Sequence, residues 1–328
     1  MTTFVDRNRS DFNVDAESLG GDPFIADILW RDHAGNNVLW LMNFNERDSF
    51  ATLPDVTPDW HFKAAALFDI ALSSDADILW QNDNGALALW QMTGTTVSAI
   101  HALANPGPSW HVVGDNDFNN DLGDDILFRN DNGALAIWTG INPATGTVSG
   151  MFAGTQNPGP TWHVVATGDT DSTGGAGILW QNDNGALALW EHPTFAAGTF
   201  TFSTVAALPT VDPSWHVKGM ANVNGDGSSD VVFQNDNGAV VVWEMGGAAG
   251  TTIISASLIN INPGPAWHIV GLRDTDGDFK ADILFQNDNG AAAVWQGYQG
   301  LGGGLATVSA ELSIIPNPNP NGHVWDLL

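Results

Sequence analysis

The chain contains no cysteine, a single tyrosine and only 9 basic side chains in 328 residues. The missing thiols exclude a disulfide framework, a zinc–thiolate centre and a cysteine nucleophile. Nine Lys and Arg stand against 37 Asp and Glu, a formal net charge of −28, so there is no basic surface for a phosphate backbone and nucleic acid is excluded as a partner. No apolar run approaches the ~18 residues of a membrane span, so no membrane insertion is expected. The first residues, Met1 to Asp6, show no basic region followed by an apolar stretch, and no secretory signal peptide is visible in this chain. Glutamate is also scarce, with 5 Glu beside 32 Asp. Glu and Lys are the usual polar filler of helix surfaces, whereas Asp favours turns and hard-cation sites.

What the chain does have is 43 % hydrophobic residues, 37 Gly and 15 Trp, enough apolar content for a packed core. It also has a repeat. The segment Asp77-Ile78-Leu79-Trp80-Gln81-Asn82-Asp83-Asn84-Gly85-Ala86-Leu87-Ala88-Leu89-Trp90 recurs with its first aromatic at Trp30, Trp80, Phe128, Trp180, Phe233 and Phe285, a spacing of 48 to 53 residues. The second aromatic follows ten residues later, at Trp40, Trp90, Trp138, Trp190, Trp243 and Trp295. Between copies runs a Trp-His motif at Trp60, Trp110, Trp162, Trp215 and Trp267, with a worn copy at Gly322-His323-Val324-Trp325.

Each unit reads as four short strands: Trp-His-Val-Val, then Ile-Leu-Trp/Phe-Gln, then Ala-Leu-Ala-Leu-Trp, then a Thr/Val-rich run such as Thr96 to Ile100. Asn84-Gly85 and its equivalents predict a tight two-residue hairpin with positive φ angles. Repeated four-stranded units of this length predict an all-β fold, a β-propeller of six blades, with seven as the alternative. The units fall at 1–59, 60–109, 110–161, 162–214, 215–266 and 267–328, all in one domain. The first unit lacks its own Trp-His strand and the last is followed by a spare one, so the simplest closure pairs the C-terminal strand with the N-terminal unit, with Thr3 to Asp6 as the competitor for that place.

The link between the first and second strands carries the strongest chemical signal. Oxygen ligands at positions 1, 3, 5 and 9 of a tight loop can wrap Ca²⁺, which takes six to eight oxygens in irregular geometry. Three loops are complete: Asp117, Asn119, Asp121, Asp125; Asn222, Asn224, Asp226, Asp230; and Asp274, Asp276, Asp278, Asp282. About three Ca²⁺ sites are therefore expected. The other loops are worn. The fourth unit keeps Asp169 and Asp171 but has Thr173 and Gly177 at positions 5 and 9, the second keeps Asp69 and Asp77, and the first has Asp11, Asn13 and Asp15 before a longer excursion to Asp27. The complete loops lead into Phe and the worn ones into Trp, as if the larger indole filled space, or its N–H met an acceptor, where no metal organises the loop.

The opposite ends of the strands gather polar hairpins beside Trp. Amides and carboxylates that hydrogen-bond hydroxyls, next to an aromatic ring that stacks on a C–H face, suit a sugar. The candidates are Gln81, Asn82, Asp83 and Trp110; Asn130 and Asp131; Gln181, Asn182, Asp183 and Trp162; Gln234, Asn235 and Asp236; and Gln286, Asn287 and Asp288. The same residues also suit hairpin turns and inter-blade packing. The repeated His61, His111, His163, His216, His268 and His323 are expected to bond backbone or an Asp within their own blades rather than to form a metal-binding ring.

These loops, the Asp-Ile-Leu-Trp/Phe strand, the Asn-Gly hairpin and the Trp-His-Val-Val-Gly strand together resemble the FG-GAP/VCBS-type repeat, over nearly the whole chain. That resemblance implies a Ca²⁺-stabilised propeller, an extracellular or cell-surface setting, and a binding rather than a catalytic role. The function expected is non-enzymatic, lectin-like or adhesive recognition of a glycan or cell-surface ligand. The alternative is a structural or protein–protein interaction propeller of a larger exported protein, with a carbohydrate-active hydrolase or lyase less favoured. No nucleophile motif appears, and the acids follow the repeat whereas an active site should break it. The least repetitive stretches, Asp11 to Asp27, Phe44 to Phe50 and Tyr298 to Gly304, offer no catalytic constellation.

Overall fold

The computed structural model describes residues 28–32, 34–43, 46–68, 76–300, 304–308, 313–315 and 325–327; among them there are strands and turns and no helix. The fold is of the all-β propeller class, built from repeated four-stranded antiparallel blades. The second blade shows the plan: Trp60–Ala66, Asp77–Asn82, Leu87–Thr93 and Thr96–Ala102 lie side by side in chain order. The same meander restarts at Trp110, Trp162, Trp215 and Trp267. The first blade, Ile28–Asp32, Asn37–Asn43 and Glu46–Leu53, is completed by Trp325–Leu327, which places Leu327 opposite Trp30. The expected use of the C-terminal strand is thus observed.

The burial pattern follows from the residues. Asp77–Asn82 is buried along its whole length, as a near-continuous apolar run between two packed neighbours must be. Thr96–Ala102 alternates exposed and half-buried residues, the period-2 signature of an outer strand with one face in water. The paired aromatics meet across the second and third strands of every blade, with ring centroids 4.6–5.1 Å apart and planes tilted by 49–56°. Such tilted pairs satisfy the ring quadrupoles as well as burying area. That explains why each of these strands carries one aromatic.

The turn between these strands differs from the expected two-residue hairpin. Asn82 N–H bonds Ala86 C=O at 2.8 Å and Gly85 N–H bonds Asn82 C=O at 2.8 Å, so three residues form the loop and only the glycine, at φ 87°, is left-handed. This is a type I turn followed by a glycine bulge. Asn84 Oδ1 accepts Ala86 N–H, which is why a side-chain acceptor precedes the glycine.

The described chain divides into two compact units. One comprises Asp59–Pro213 with Ala248–Thr251 and holds the second, third and fourth blades; the other comprises Met1–Pro58, Ser214–Gly247 and Thr252–Leu328 and holds the first, fifth and sixth. In the first of these units, the outer strands of the third and fourth blades pair in parallel, Ala153 with Thr199 and Gly154 with Phe200. In the other, the Gly-rich stretch forms a hairpin, Gln299–Gly300 with Gly304–Thr307, that adds in parallel to the fifth blade's outer strand.

A glutamine clasps successive blades. Gln81 Nε2 donates to Trp110 C=O at 2.8 Å, and its Oε1 accepts Val112 N–H at 3.0 Å. Gln234 does the same with Trp267 C=O at 2.7 Å and Ile269 N–H at 2.9 Å. Each amide thus imitates one rung of a β-ladder across a blade junction. In the third blade Arg129 takes that place, bonding Gly159 C=O at 2.9 Å and lying over the Trp180 ring. Gln234→Leu keeps the volume but leaves a buried N–H and C=O unpaired, and is expected to cost about 2–4 kcal/mol. Denaturant unfolding checks this; a loss indistinguishable from zero would contradict the clasp.

Candidate metal centres and binding face

The Asp-rich loops are organised from position 1 outward. In the sixth blade Asp274 Oδ1 accepts the N–H groups of Asp276 and Gly277, and Oδ2 accepts that of Phe279. Asp117 in the third blade likewise accepts Asp121 and Leu122 N–H. Position 6 is left-handed in every described loop: Leu122 at φ 75°, Gly174 at 99°, Gly227 at 92° and Phe279 at 65°. The missing glycine at Phe279 therefore leaves the loop path unchanged. The third and sixth loops hold bulky, exposed Leu122 and Phe279 in a conformation that favours glycine, a strain of order 1–2 kcal/mol each.

Position 9 is the root of the second strand, and its carboxylate is out of water: Asp125 and Asp230 are 0 % exposed, and Asp77 and Asp282 2 %. One oxygen of each complete-loop Asp closes the loop. Asp125 Oδ2 accepts Phe118 and Asn119 N–H, Asp230 Oδ2 accepts Val223 N–H, and Asp282 Oδ2 accepts Thr275 N–H and Oγ1–H. Burial pushes all three carboxyls up to about 8, with neighbouring acids adding to it, Asp121 foremost for Asp125. Among the described residues, Asp125 Oδ1 and Asp282 Oδ1 are buried and accept no hydrogen bond. Asp274, Asp276 and Asp282 bring ligand oxygens within 4.8 Å of one another, the one such trio among the described residues. Burial also raises Asp274 and Asp276, the latter helped by Asp278. A buried carboxylate oxygen without a donor is a group whose charged form lacks a counterpart, and a hard cation fits that set. The remaining loop ligands, Asn119 and Asp121, Asn222, Asn224 and Asp226, and Asp278, lie on the same loops and tie them locally through Asn119 Nδ2 to Asp121 and Asn224 Nδ2 to Asp226. Asp11, Asn13, Asp15, Asp27, Asp69 and His323 lie outside the described residues.

The fourth blade holds a residue that sequence reasoning missed. A Cβ built on Gly177 would run into the carboxylate of Glu191, which is 1 % exposed and accepts Thr170 Oγ1–H at 2.6 Å. In the sixth blade Thr275 makes that bond to Asp282 instead. Glu191 therefore returns the missing acid from the third strand, and the visible signal was an acid directly after Trp190. Beside it His192, left-handed at φ 58°, places Nε2 2.7 Å from Asp171 Oδ2. Burial opposes the Asp171 charge, but hydrogen bonds from Thr173 and His192 outweigh it and hold that carboxyl below its ordinary value. Of the three worn-loop indoles, Trp180 has a buried N–H with no acceptor among the described residues, so in the fourth blade the ring fills space and does not satisfy a described loop oxygen.

On the hairpin face the candidates divide. Gln81 and Gln234 are buried and spent on the blade clasps, so they do not face a ligand. Asn82, Asn182 and Asn235 turn inward: each Oδ1 accepts the N–H two residues on, and each Nδ2 reaches Asp59, Thr161 or Ser214. Asn287 Oδ1 accepts Asn289 N–H in the same way, and Gln181 and Gln286 are half-buried. Trp110 and Trp162 pack one side on the core. The second to sixth blades each present a His–Asp pair to water: His61–Asp83, His111–Asp131, His163–Asp183, His216–Asp236 and His268–Asp288, all at 2.7–2.8 Å. Each imidazole is about half exposed (51–52 %) and its Asp more so. The histidines thus bond an Asp of their own blade, as expected.

No family model matches the chain, and no curated protein matches it. Solved structures similar to it include BBS1N in complex with ARL6DN (13 % identity, TM-score 0.40, covering 83 % of this chain and 77 % of that one). Another is the Dos1 propeller (12 % identity, TM-score 0.41, covering 82 % of this chain and 64 % of that one).

Burial raises Glu191 to about 8, with Asp169 and Asp171 adding to it. The folded state therefore keeps a proton that the unfolded chain releases near 4.5, and stability falls as pH rises across that window. Glu191→Gln should remove the share of this slope that Glu191 contributes, so that the variant matches wild type near pH 5 and melts higher near pH 8. A constant offset between the two melting curves across that range would contradict the buried, protonated carboxyl.

Proposed function

We propose that the protein is a non-enzymatic, Ca²⁺-stabilised binding module of the FG-GAP/VCBS type, working outside the cell or on its surface and recognising glycans. The observation that carries the metal part is the buried, donor-less oxygen of Asp125 and of Asp282 within loops of further oxygen ligands. The ligand part is supported by the exposed carboxylate–imidazole pair that recurs on five hairpins beside a half-buried Trp. Each pair offers an acceptor and a polarised ring to hydroxyls, and repeated weak sites gain avidity on a multivalent surface.

One observation favours the second reading, a protein-interaction propeller within a larger exported protein. The clasp glutamines and inward-turned asparagines spend much of the hairpin face on assembly.

Calcium held by the folded state alone raises stability by mass action, so excess chelator should lower the melting temperature relative to millimolar Ca²⁺. Superimposable curves would sink the calcium reading. On a glycan array in millimolar Ca²⁺, wild type should bind and His163→Ala/Asp183→Ala should bind less. Silence across the array, with a saturable protein partner that sugars do not displace, would replace the glycan reading with the second one.

A further inference from the structure

The residue two after the third-strand tryptophan falls into two classes. In the second and fifth blades it is a fully buried Met at a β-bulge, and its N–H is aimed at the root carboxylate: Met92 to Asp77 Oδ1 at 2.8 Å and Met245 to Asp230 Oδ1 at 2.9 Å. In the third and sixth blades it is a left-handed glycine, Gly140 at φ 58° and Gly297 at φ 61°. In these two blades the same oxygen, Oδ1 of Asp125 and of Asp282, accepts nothing among the described residues. The fourth blade has left-handed His192 there and no Asp at position 9.

Building on the calcium reading above, we infer that this residue decides which loops take a cation. The third and sixth loops each bind one Ca²⁺, and the fifth binds none although its ligand set is complete in sequence. In the fifth loop both oxygens of Asp230 are already hydrogen-bonded, to Met245 and Val223 N–H. A metal there would have to share both root oxygens with backbone N–H groups, and no root oxygen is open to it. In the other two loops one oxygen is held by the loop and the other is left for the metal. Charge points the same way and independently. At the ligand positions the sixth loop has four acids, Asp274, Asp276, Asp278 and Asp282, the third has Asp117, Asp121 and Asp125, and the fifth only Asp226 and Asp230. Calcium affinity follows the number of charged ligands.

The test is a Ca²⁺ titration of the decalcified full chain, read as ions bound per chain by calorimetry or equilibrium dialysis. Two ions are expected. Asp125→Asn and Asp282→Asn should each remove one, and Asp230→Asn should leave both. Three ions, with one lost in Asp230→Asn, would overturn the inference and keep the calcium reading, as would a single ion. No binding at all would overturn both. The wild-type count needs no variant to fold.

Discussion

At the root of the second strand of each described blade after the first, a carboxylate is withdrawn from water, and the surrounding structure is arranged around what that group is given to hold. A bare carboxylate in such a place costs several kcal/mol, so each blade must supply donors or a cation, or keep the group protonated. The second and fifth blades supply the N–H of Met92 or Met245. The fourth abandons the aspartate, brings in Glu191 from the neighbouring strand and bonds it to Thr170. The third and sixth leave an oxygen open in a loop of other oxygens. One geometrical need is thus met in three ways across a repeated sequence.

The same repeat makes the fold legible and hides part of the site. Spacing, Trp-His strands, paired aromatics and the spare terminal strand were all readable, because each depends on a local pattern: alternation, a turn or a missing partner. Asp125 and Asp282 could be named from loop spacing alone. Glu191 could not, because its substitution for residue 177 crosses from one strand to the next and only the register brings them together: Ile178 lies opposite Trp190, the residue before Glu191. The glutamine clasp was invisible for the same reason: Gln81 finds its partners 29 and 31 residues away, across a blade junction. The hairpin type was misjudged by one residue, because Asn-Gly marks both a two-residue turn and the end of a three-residue one.

The hairpin face has two layers with different tasks. Amides at the strand ends are spent on joining blades and closing turns, and the His–Asp pairs stand outside them in water. A substitution in the inner layer acts on stability, and one in the outer layer acts on what the face can touch. The excess of acid that sets the overall charge is divided in the same way, between buried roots, loop ligands and exposed pairs.

The most direct test of the claim that these roots are cation sites is hydrogen exchange of the loop amides with and without Ca²⁺. The N–H groups of Phe118 and Thr275 both bond the root carboxylates. The account predicts that Ca²⁺ slows exchange across residues 117–125 and 274–282 and leaves residues 169–177 of the fourth blade unchanged. Equal slowing in the fourth blade, or no slowing in the sixth, would contradict it.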